Sequence, residues 1–379
     1  MKKIISLVLS LILCSTLLSS TTVSAKVTKG KCGKNVTYKL DTKKLKLTIS
    51  GKGDMFGYLS YGFGFSRNSD GLCISYRNYE KYLPPWLYID LDEEYEEVYN
   101  DWKSVTVEEG VTSIGSGAFS STDCWAEKFY LPSTLKVIYG GAFSDCRGLK
   151  SITIPDNVRA FSSKVDFYKD NKEYYREGTF YSSDYLINVK ISEKSKLKSI
   201  GYRTFMGTGI KYFNSKNKLP NVTHVGVEAF RSCWNLKKVS LPKAEVYKST
   251  FEDSRRLNTV DISGTKKVRA YTFRGCWGLE NIKFGNKLTW IGTESFKDCK
   301  ALKKITIPKN VEEIRYNAFM SDTNLKTVII NSKKLKAVRT DAFKNVNKDV
   351  VFKVPKSKLE QHKALIAPNA PETARFVGV

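Results

Sequence analysis

The sequence predicts a repeat solenoid, mainly β-structure with short helical turns, built from about ten stacked units. Two observations predict this class. A small residue followed by phenylalanine recurs through most of the chain, usually at intervals of roughly 21 to 25 residues, and an alternating apolar segment lies between successive pairs. The pairs are Ala118-Phe119, Ala142-Phe143, Thr179-Phe180, Thr204-Phe205, Ala229-Phe230, Thr250-Phe251, Thr272-Phe273, Ser295-Phe296, Ala318-Phe319 and Ala342-Phe343.

Each unit is expected to open with a short strand. Apolar residues alternate in pairs such as Ile152/Ile154 and Ile305/Ile307, which is the period of a half-buried strand. Proline or glycine then turns the chain, a second extended segment such as 311–314 follows, and the small-Phe pair is expected on a helical turn. Because one unit cannot close a core, the phenylalanines of successive units should stack into one buried ladder.

The repeating frame can be written L-x-x-I-x-I-P-x-x-V-x-x-I-x-x-x-A-F-x-x-C-x-x-L. It resembles the treponemal-type leucine-rich repeat of BspA-like surface proteins, over about Ser104 to Asn347. The segments 30–38 and 47–55 are similar to the N-terminal lead-in of that family, and 354–366 is similar to its closing segment. The resemblance implies a leucine-rich-repeat right-handed superhelix.

Four regions are expected along the chain: a signal peptide at 1–25, a lead-in at 26–103, the solenoid at 104–347 with an insertion near 162–177, and a closing segment at 348–379. The first region has Lys2 and Lys3, an apolar run at 4–13 and a small-residue end at Ala25, which is typical of an export signal. No later segment has the roughly 18 apolar residues of a transmembrane helix. We therefore expect a secreted protein without a transmembrane anchor, and non-covalent retention at the cell surface is left open.

The chain is strongly basic, with 63 Lys and Arg against 38 Asp and Glu, a net charge of +25. Such a charge attracts polyanions. The expected partner is an extracellular protein or glycan of anionic character, and no motif indicates sequence-specific nucleic-acid binding. The alternative is that surface lysines only keep the solenoid soluble.

The cysteines favour a structural role. Cys146, Cys233, Cys276 and Cys299 each follow a repeat phenylalanine by three residues, where they should fill the interior as small apolar groups. A single cysteine in a repeat lacks the clustered ligands of a metal site, so neither metal nor cofactor is expected. In an exported protein Cys32 and Cys73 form the candidate disulfide.

The sequence does not favour an enzyme. Its two histidines, His224 and His362, have no catalytic motif around them. The acidic cluster at 90–97 is more typical of a solvated loop than of a glycosidase pair. A glycan-active enzyme in the N-terminal region is the least favoured alternative.

The remaining candidate is a binding surface. Residues that alternate with the buried strand positions should share one outer sheet face, although a merely solvated face is the alternative. The candidate residues on this face are Lys238, Ser240, Thr259, Asp261, Asn281, Lys283, Lys304 and Thr306. The insertion adds Tyr168, Tyr174, Tyr175 and Arg176, residue types enriched at interfaces. Trp234 and Trp277 directly follow interior cysteines and form either an exposed row or part of the core packing.

The resemblance implies adhesion or protein–protein interaction at the cell surface. The composition alone also allows a charge-driven binder of extracellular anionic polymers, such as an acidic glycan or a wall polymer. Salt should separate the two, because charge-driven binding weakens steeply as ionic strength rises.

Overall fold

The computed structural model describes residues 27–58, 84–86, 103–120, 126–161, 178–212 and 218–379. The expected signal peptide, the insertion near 162–177 and the acidic cluster at 90–97 lie outside these residues. Within the described ranges, no helix is long and apolar enough to cross a membrane.

Short strands dominate the described chain, and one α-helix, α1 (Leu359–Ile366), lies near its end. The strands are β1 (Val27–Lys31), β2 (Val36–Asp41), β3 (Lys46–Gly51), β4 (Gly53–Asp54), β5 (Ser104–Val107), β6 (Val111–Ile114), β7 (Lys128–Tyr130), β8 (Val137–Ile138), β9 (Ser151–Ile154), β10 (Ala160–Phe161), β11 (Asn188–Ile191), β12 (Ser199–Ile200), β13 (His224–Val225), β14 (Lys238–Ser240), β15 (Glu245–Val246), β16 (Thr259–Ile262), β17 (Lys267–Val268), β18 (Asn281–Phe284), β19 (Trp290–Ile291), β20 (Lys304–Ile307), β21 (Glu313–Ile314), β22 (Thr327–Ile330), β23 (Ala337–Val338), β24 (Val351–Val354) and β25 (Arg375–Gly378).

The strands form two columns. The front column holds the longer strands, in the sheets β1-β2-β3-β5-β7, β9-β11, β14-β16-β18 and β20-β22-β24-β25. The back column holds mostly two-residue strands, in the sheets β4-β6-β8-β10-β12-β13-β15 and β17-β19-β21-β23. Neighbouring coils pair in parallel, whereas β1, β2 and β3 form an antiparallel entry. The result is a β-solenoid of about ten turns with little helix, which confirms the predicted fold class.

The repeat phenylalanines form one continuous stack through the core. From Phe119 to Phe343, the ring centroids of successive coils lie 5.1 to 5.4 Å apart. All ten side chains are fully buried. Aromatic pairs at this separation contribute beyond the burial of their area, so the predicted ladder is confirmed as a central packing element.

A backbone ladder runs beside the rings and explains the small residue before each phenylalanine. The N–H of Phe205 donates to the carbonyl of Ala229 at 2.8 Å, and that of Phe251 donates to Thr272 at 2.9 Å. The same bond recurs in every coil from Phe119 to Phe319. The residue before each phenylalanine is buried between coils, so its side chain must be small.

The chain around each phenylalanine is a turn, where the sequence predicted a helical turn. In the Phe143 coil and in every coil from Phe205 to Phe343, two residues adopt left-handed backbone angles, one two positions before the phenylalanine and one two positions after it. Examples are Arg203 and Tyr271 before, and Asp253 and Ser321 after. Left-handed residues interrupt a right-handed helix. They let the chain reverse while its amides still bond to the next coil.

In most coils the position three residues after the phenylalanine supplies a second set of bonds between coils. The thiols of Cys233 and Cys276 donate to the carbonyls of Phe205 and Phe251, both at 3.0 Å. Burial raises the pKa of the Cys233 thiol to about 12, which keeps it protonated and able to donate. The prediction that these cysteines face the interior is confirmed.

Ser254 and Asp322 occupy this same position in two other coils. The Ser254 hydroxyl accepts from the N–H of Cys233 at 3.1 Å and donates to the carbonyl of Phe230 at 2.6 Å. Asp322 Oδ1 accepts from the N–H of Cys299 at 2.7 Å. Its other oxygen, Oδ2, is buried and accepts no hydrogen bond from a described residue. Burial raises the pKa of Asp322 well above its ordinary value, and a protonated Asp322 can donate as the serine does.

Both ends of the aromatic stack are covered. Trp86 stacks on Phe119 with ring centroids 5.8 Å apart, and its indole N–H donates to the carbonyl of Ala118. At the other end, Phe352 packs edge-on against Phe343 at 5.0 Å. The N–H of Phe343 donates to the carbonyl of Asn369, just after α1. The apolar column is therefore closed off from water at both ends.

Replacing one ring in the middle of the stack should be costly. Phe251→Ala leaves a cavity between two coils and is expected to lower the free energy of unfolding by about 3 to 5 kcal/mol. The control is Trp277→Ala, because that side chain is 43% exposed; its cost should stay near 1 kcal/mol. Guanidinium denaturation of both variants measures the difference, and equal costs would contradict the ladder as the main core.

Asp322→Ser should make the protein more stable at neutral pH. Because the pKa of Asp322 is raised in the folded state, the stability that its protonated form contributes is present below its ordinary pKa of 3.8 and is lost as pH rises. The advantage of the serine variant should therefore grow with pH and reach about 1 to 3 kcal/mol near pH 7. Denaturation of both proteins between the ordinary pKa of 3.8 and neutral pH measures this advantage, and Asp349→Ser at an exposed position is the control. A difference in the free energy of unfolding that does not change with pH would refute the raised pKa of Asp322.

Candidate functional site

The candidate surface lies on the front column of strands. Lys238, Thr259 and Asn281 are direct partners across β14, β16 and β18. The same face continues with the next outward row and with β20, which contribute Ser240, Asp261, Lys283, Lys304 and Thr306. All eight strand residues singled out from the sequence line one open, shallow cavity of about 640 Å³. We call these eight residues, from Lys238 to Thr306, the cationic face; that they bind a partner stays a prediction.

The structure adds residues that the strand pattern missed. Lys218, Glu280 and Lys303 also line the cavity. Glu280 and Lys303 lie just before β18 and β20, outside the alternating strand residues. The frame could have indicated Lys303, because lysine also follows the opening leucine in other units, as at Lys237 and Lys326.

The cationic face carries uncompensated positive charge. Lys283 Nζ lies 3.5 Å from the carboxylate of Asp261, and that carboxylate also accepts from the backbone N–H of Ser263 at 3.0 Å. Lys238 and Lys304 are exposed, and neither has an acidic partner in the part of the chain that the structure describes. Amines clustered on an open surface create a potential that favours anions.

Several acidic side chains are instead engaged in ion pairs beside the phenylalanine turns. Glu228 contacts both Arg203 and Arg231, at 2.5 and 3.1 Å. Glu252, which is buried, lies between Arg231 and Arg274. This line of alternating charges binds neighbouring coils together and lies apart from the front strands.

Trp234 and Trp277 are exposed and are not part of the core. Their exposed fractions are 48% and 43%, so the exposed row is the observed arrangement. Trp277 lies between two cations, with Arg255 at 4.2 Å and Lys300 at 5.0 Å from its ring centroid. These cations lie over the ring and hold its orientation.

Neither histidine lies in a catalytic arrangement. His362 is buried, neither ring nitrogen has a hydrogen-bond partner among the described residues, and burial lowers its pKa, with a further contribution from Lys358. His224 is exposed, and its Nδ1 lies 2.9 Å from Thr223 Oγ1. Within the described ranges, no group of three or more His, Cys, Asp or Glu residues could hold a metal ion.

Some predicted site residues fall outside the described chain. Tyr168, Tyr174, Tyr175 and Arg176 of the insertion are among them, as is Cys73. Cys32 is buried and forms no disulfide with a described residue, and burial raises its pKa to about 12. The Cys32–Cys73 pairing stays a prediction.

The stacked coils define a solenoid protein of the leucine-rich-repeat class. The sequence profile of the BspA type leucine rich repeat region matches in six copies, over residues 97–172, 162–237 and 223–349. The chain belongs to this family, which confirms the resemblance found in the repeats.

Several solved structures are similar to this chain. A leucine-rich repeat protein from Bacteroides ovatus is 27% identical with a TM-score of 0.60; the match covers 74% of this chain and 66% of that one, so the chain spans less than two thirds of that protein. A leucine-rich repeat protein from Eubacterium ventriosum is 16% identical with a TM-score of 0.38, covering 85% and 95% of the two chains. The pneumococcal vaccine antigen PcpA is 16% identical with a TM-score of 0.37, covering 94% and 99%. No curated protein matches the sequence.

Proposed function

We propose that this protein is an extracellular adhesion or interaction protein that binds a protein partner on its cationic face. The observation that carries the proposal is the cavity of about 640 Å³ that all eight outward strand residues line together. Membership of the BspA-type leucine-rich repeat family supports a binding role. No enzymatic role is proposed.

The fold suits this role because it presents side chains on a rigid support. Lys238, Thr259 and Asn281 are fixed by parallel pairing of their strands, so these side chains recur at about 4.8 Å per coil. A surface ordered before binding loses little conformational entropy when a partner docks. A protein partner with acidic residues at its contact surface would complement the exposed lysines.

A second candidate function is charge-driven binding of an anionic polymer, such as an acidic glycan or a wall polymer. It is favoured by one observation, the absence of acidic partners for Lys238 and Lys304 among the described residues. A polymer held by charge alone should dissociate steeply as salt rises. A protein partner that adds shape-complementary contacts to its ion pairs should weaken less over the same range of salt.

A binding screen separates these functions. The chain from residue 26 onward is immobilised and exposed to matrix proteins and to acidic glycans at about 50 and 200 mM salt. The double variant Lys238→Ser/Lys304→Ser should weaken binding of the true partner by about tenfold. Its matched control, Lys266→Ser/Lys287→Ser, removes the same charge from exposed positions outside the face.

The outcomes of the screen are distinct. A protein partner that weakens less than the glycans at the higher salt and loses about tenfold in affinity in the double variant supports the proposal. Binding to glycans alone, with steep loss in salt, supports the polymer alternative instead. Equal weakening by both double variants would show that the cationic face is not the binding site.

The proposed location is outside the cell, with retention at the surface through charge. The motivation is the expected signal peptide at 1–25 together with the net charge of +25. Fractionation of the producing cells should find a chain that lacks this segment in the medium, and a salt wash of the cells should release more of it. A chain found in the cytosol with residues 1–25 intact would contradict this location.

A further inference from the structure

Short segments join the phenylalanine turns to the front strands, and those of successive coils lie side by side. The N–H of Gly278 donates to the carbonyl of Arg255, and the N–H of Ala301 donates to the carbonyl of Trp277, both at 2.9 Å. Residues at corresponding positions of neighbouring coils therefore share one edge of the solenoid. We call this surface the turn edge, and it consists of the segments 184–187, 209–212, 234–237, 255–258, 277–280 and 300–303.

Large apolar side chains are exposed along the turn edge. The five that have exposed fractions between 42% and 56% are Tyr185, Ile187, Tyr212, Trp234 and Trp277. They span five successive coils, which corresponds to roughly 20 Å at the spacing of neighbouring strands. Single exposed apolar residues are common, whereas a row of this length is typical of a surface that binds another molecule or a membrane.

The row is an ordered part of the solenoid. Tyr212 pairs with Asn188 of β11 in an isolated parallel bridge. Trp234 lies so close to Gly209 of the preceding coil that a Cβ at that glycine would be 3.1 Å from Cζ2 of the indole. Because the coils already hold these residues in place, little conformational entropy is lost when the row docks on a partner.

Cations outnumber acids on the turn edge. Its acidic residues are Asp184 and Glu280, and its six basic residues are Lys211, Lys237, Arg255, Arg256, Lys300 and Lys303. None of the six cations forms an ion pair with an acidic side chain in the described part of the chain. Two further carboxylates, Asp253 and Asp298, precede the edge by two residues, and Lys238 and Lys304 of the cationic face directly follow it. The balance of charge is therefore positive, which attracts anions.

Cations of the two neighbouring coils lie over the Trp277 ring. The guanidinium carbon of Arg255, from the coil before, is 4.2 Å from the ring centroid, and Nζ of Lys300, from the coil after, is 5.0 Å from it. Because they come from opposite sides along the solenoid, they occupy both faces of the ring and leave only its rim to solvent. A nucleobase binds an aromatic side chain by stacking on its face, and so does a sugar ring. Trp277 is therefore not suited to either ligand.

A lipid surface with anionic headgroups matches these properties. Trp and Tyr side chains are favoured where hydrocarbon meets water, because each has an apolar ring and a polar tip. Lys and Arg side chains beside them are attracted to the headgroups. A soluble polyanion would pair with the cations, but it would leave Tyr185 and Ile187 in water and gives no reason for their exposure.

We propose that the turn edge binds the surface of a lipid bilayer that carries anionic headgroups. Its cations pair with lipid phosphates, and its exposed rings enter the interface between headgroups and hydrocarbon. The turn edge contains none of the eight residues of the cationic face, although Glu280, Ala301 and Lys303 also line its cavity. The proposal goes beyond the proposed function, because it adds a membrane contact beside the surface that is proposed to bind a protein.

Vesicle sedimentation tests the proposal. The chain from residue 26 onward is mixed with vesicles of phosphatidylcholine alone, or with vesicles of phosphatidylcholine and phosphatidylglycerol in equal amounts. Binding to the mixed vesicles should be at least about tenfold tighter, because only these vesicles carry a net negative charge. The affinity for the mixed vesicles should fall as the salt concentration rises.

Tryptophan emission reports whether the exposed rings enter the interface. Binding to the mixed vesicles should shift the emission maximum to shorter wavelength, because Trp234 and Trp277 leave water. The variant Trp234→Tyr/Trp277→Tyr keeps aromatic side chains on the edge, so it should still sediment with these vesicles but lose most of the shift. Polyglutamate, a soluble polyanion, should cause no shift in the unchanged chain.

Two double variants locate the site. Arg255→Ser/Lys300→Ser removes two cations, and Tyr185→Ser/Trp234→Ser removes two exposed rings. Each should weaken binding to the mixed vesicles by about tenfold. All four replaced residues are exposed, so both variants should fold, and their thermal unfolding midpoints check this.

The charge-matched control is Lys266→Ser/Lys287→Ser, which changes exposed lysines outside the edge and should weaken binding by less than about threefold. Equal binding to the two kinds of vesicle, equal weakening by the control, or sedimentation without a shift in emission would overturn the proposal. Absence of vesicle binding together with loss of partner binding in Tyr185→Ser/Trp234→Ser would assign the edge to a protein instead. Partner binding at the cationic face is measured separately, so either proposal can fail alone.

Discussion

The structure depends on one constraint, that each coil must fit the coil before it at every position. The phenylalanine rings stack 5.1 to 5.4 Å apart, and their amides bond to the next coil. A residue that does not fit its neighbours exposes apolar area, and it leaves hydrogen-bonding groups without partners on two coils at once. This constraint explains why the same residue types return at the same positions while the outward positions vary.

The sequence was enough to predict the solenoid, the buried ladder and the outward row, because all three follow from periods visible in the chain. The paired left-handed residues were not predicted. At the position two after phenylalanine, the column of Gly, Asp, Asn and Ser from Asp145 to Asn345 was an available signal. Two positions before the phenylalanine stand residues such as Arg203, Glu228 and Tyr271, whose types do not indicate a left-handed conformation. Contacts between coils impose that conformation on them.

Other features could not be read from a linear pattern. The thiols of Cys233 and Cys276 act as hydrogen-bond donors as well as fillers, which follows only from the position of the neighbouring carbonyl. A second cavity, on the front strands β7, β9 and β11, combines Tyr130 of one coil with Lys190 of another. The repeat units around this cavity depart from the regular frame, so the repeat pattern does not indicate it.

The same geometry connects fold to function. Ion pairs such as those of Glu252 tie coils together beside the turns, which leaves the front strands to present lysines to a partner. Two areas of the front strands then offer different chemistry, cationic near Lys304 and apolar with a rim of mixed charge near Tyr130.

Amide hydrogen exchange of the repeat phenylalanines is the most direct test of coil stacking. Each of these amides donates to the next coil, from Phe119 to Phe319. Amides held in one cooperative core exchange only through large-scale opening. The amides of Phe205, Phe251 and Phe296 should therefore all be strongly protected, and exchange of these amides as fast as that of exposed turn residues would contradict coil stacking.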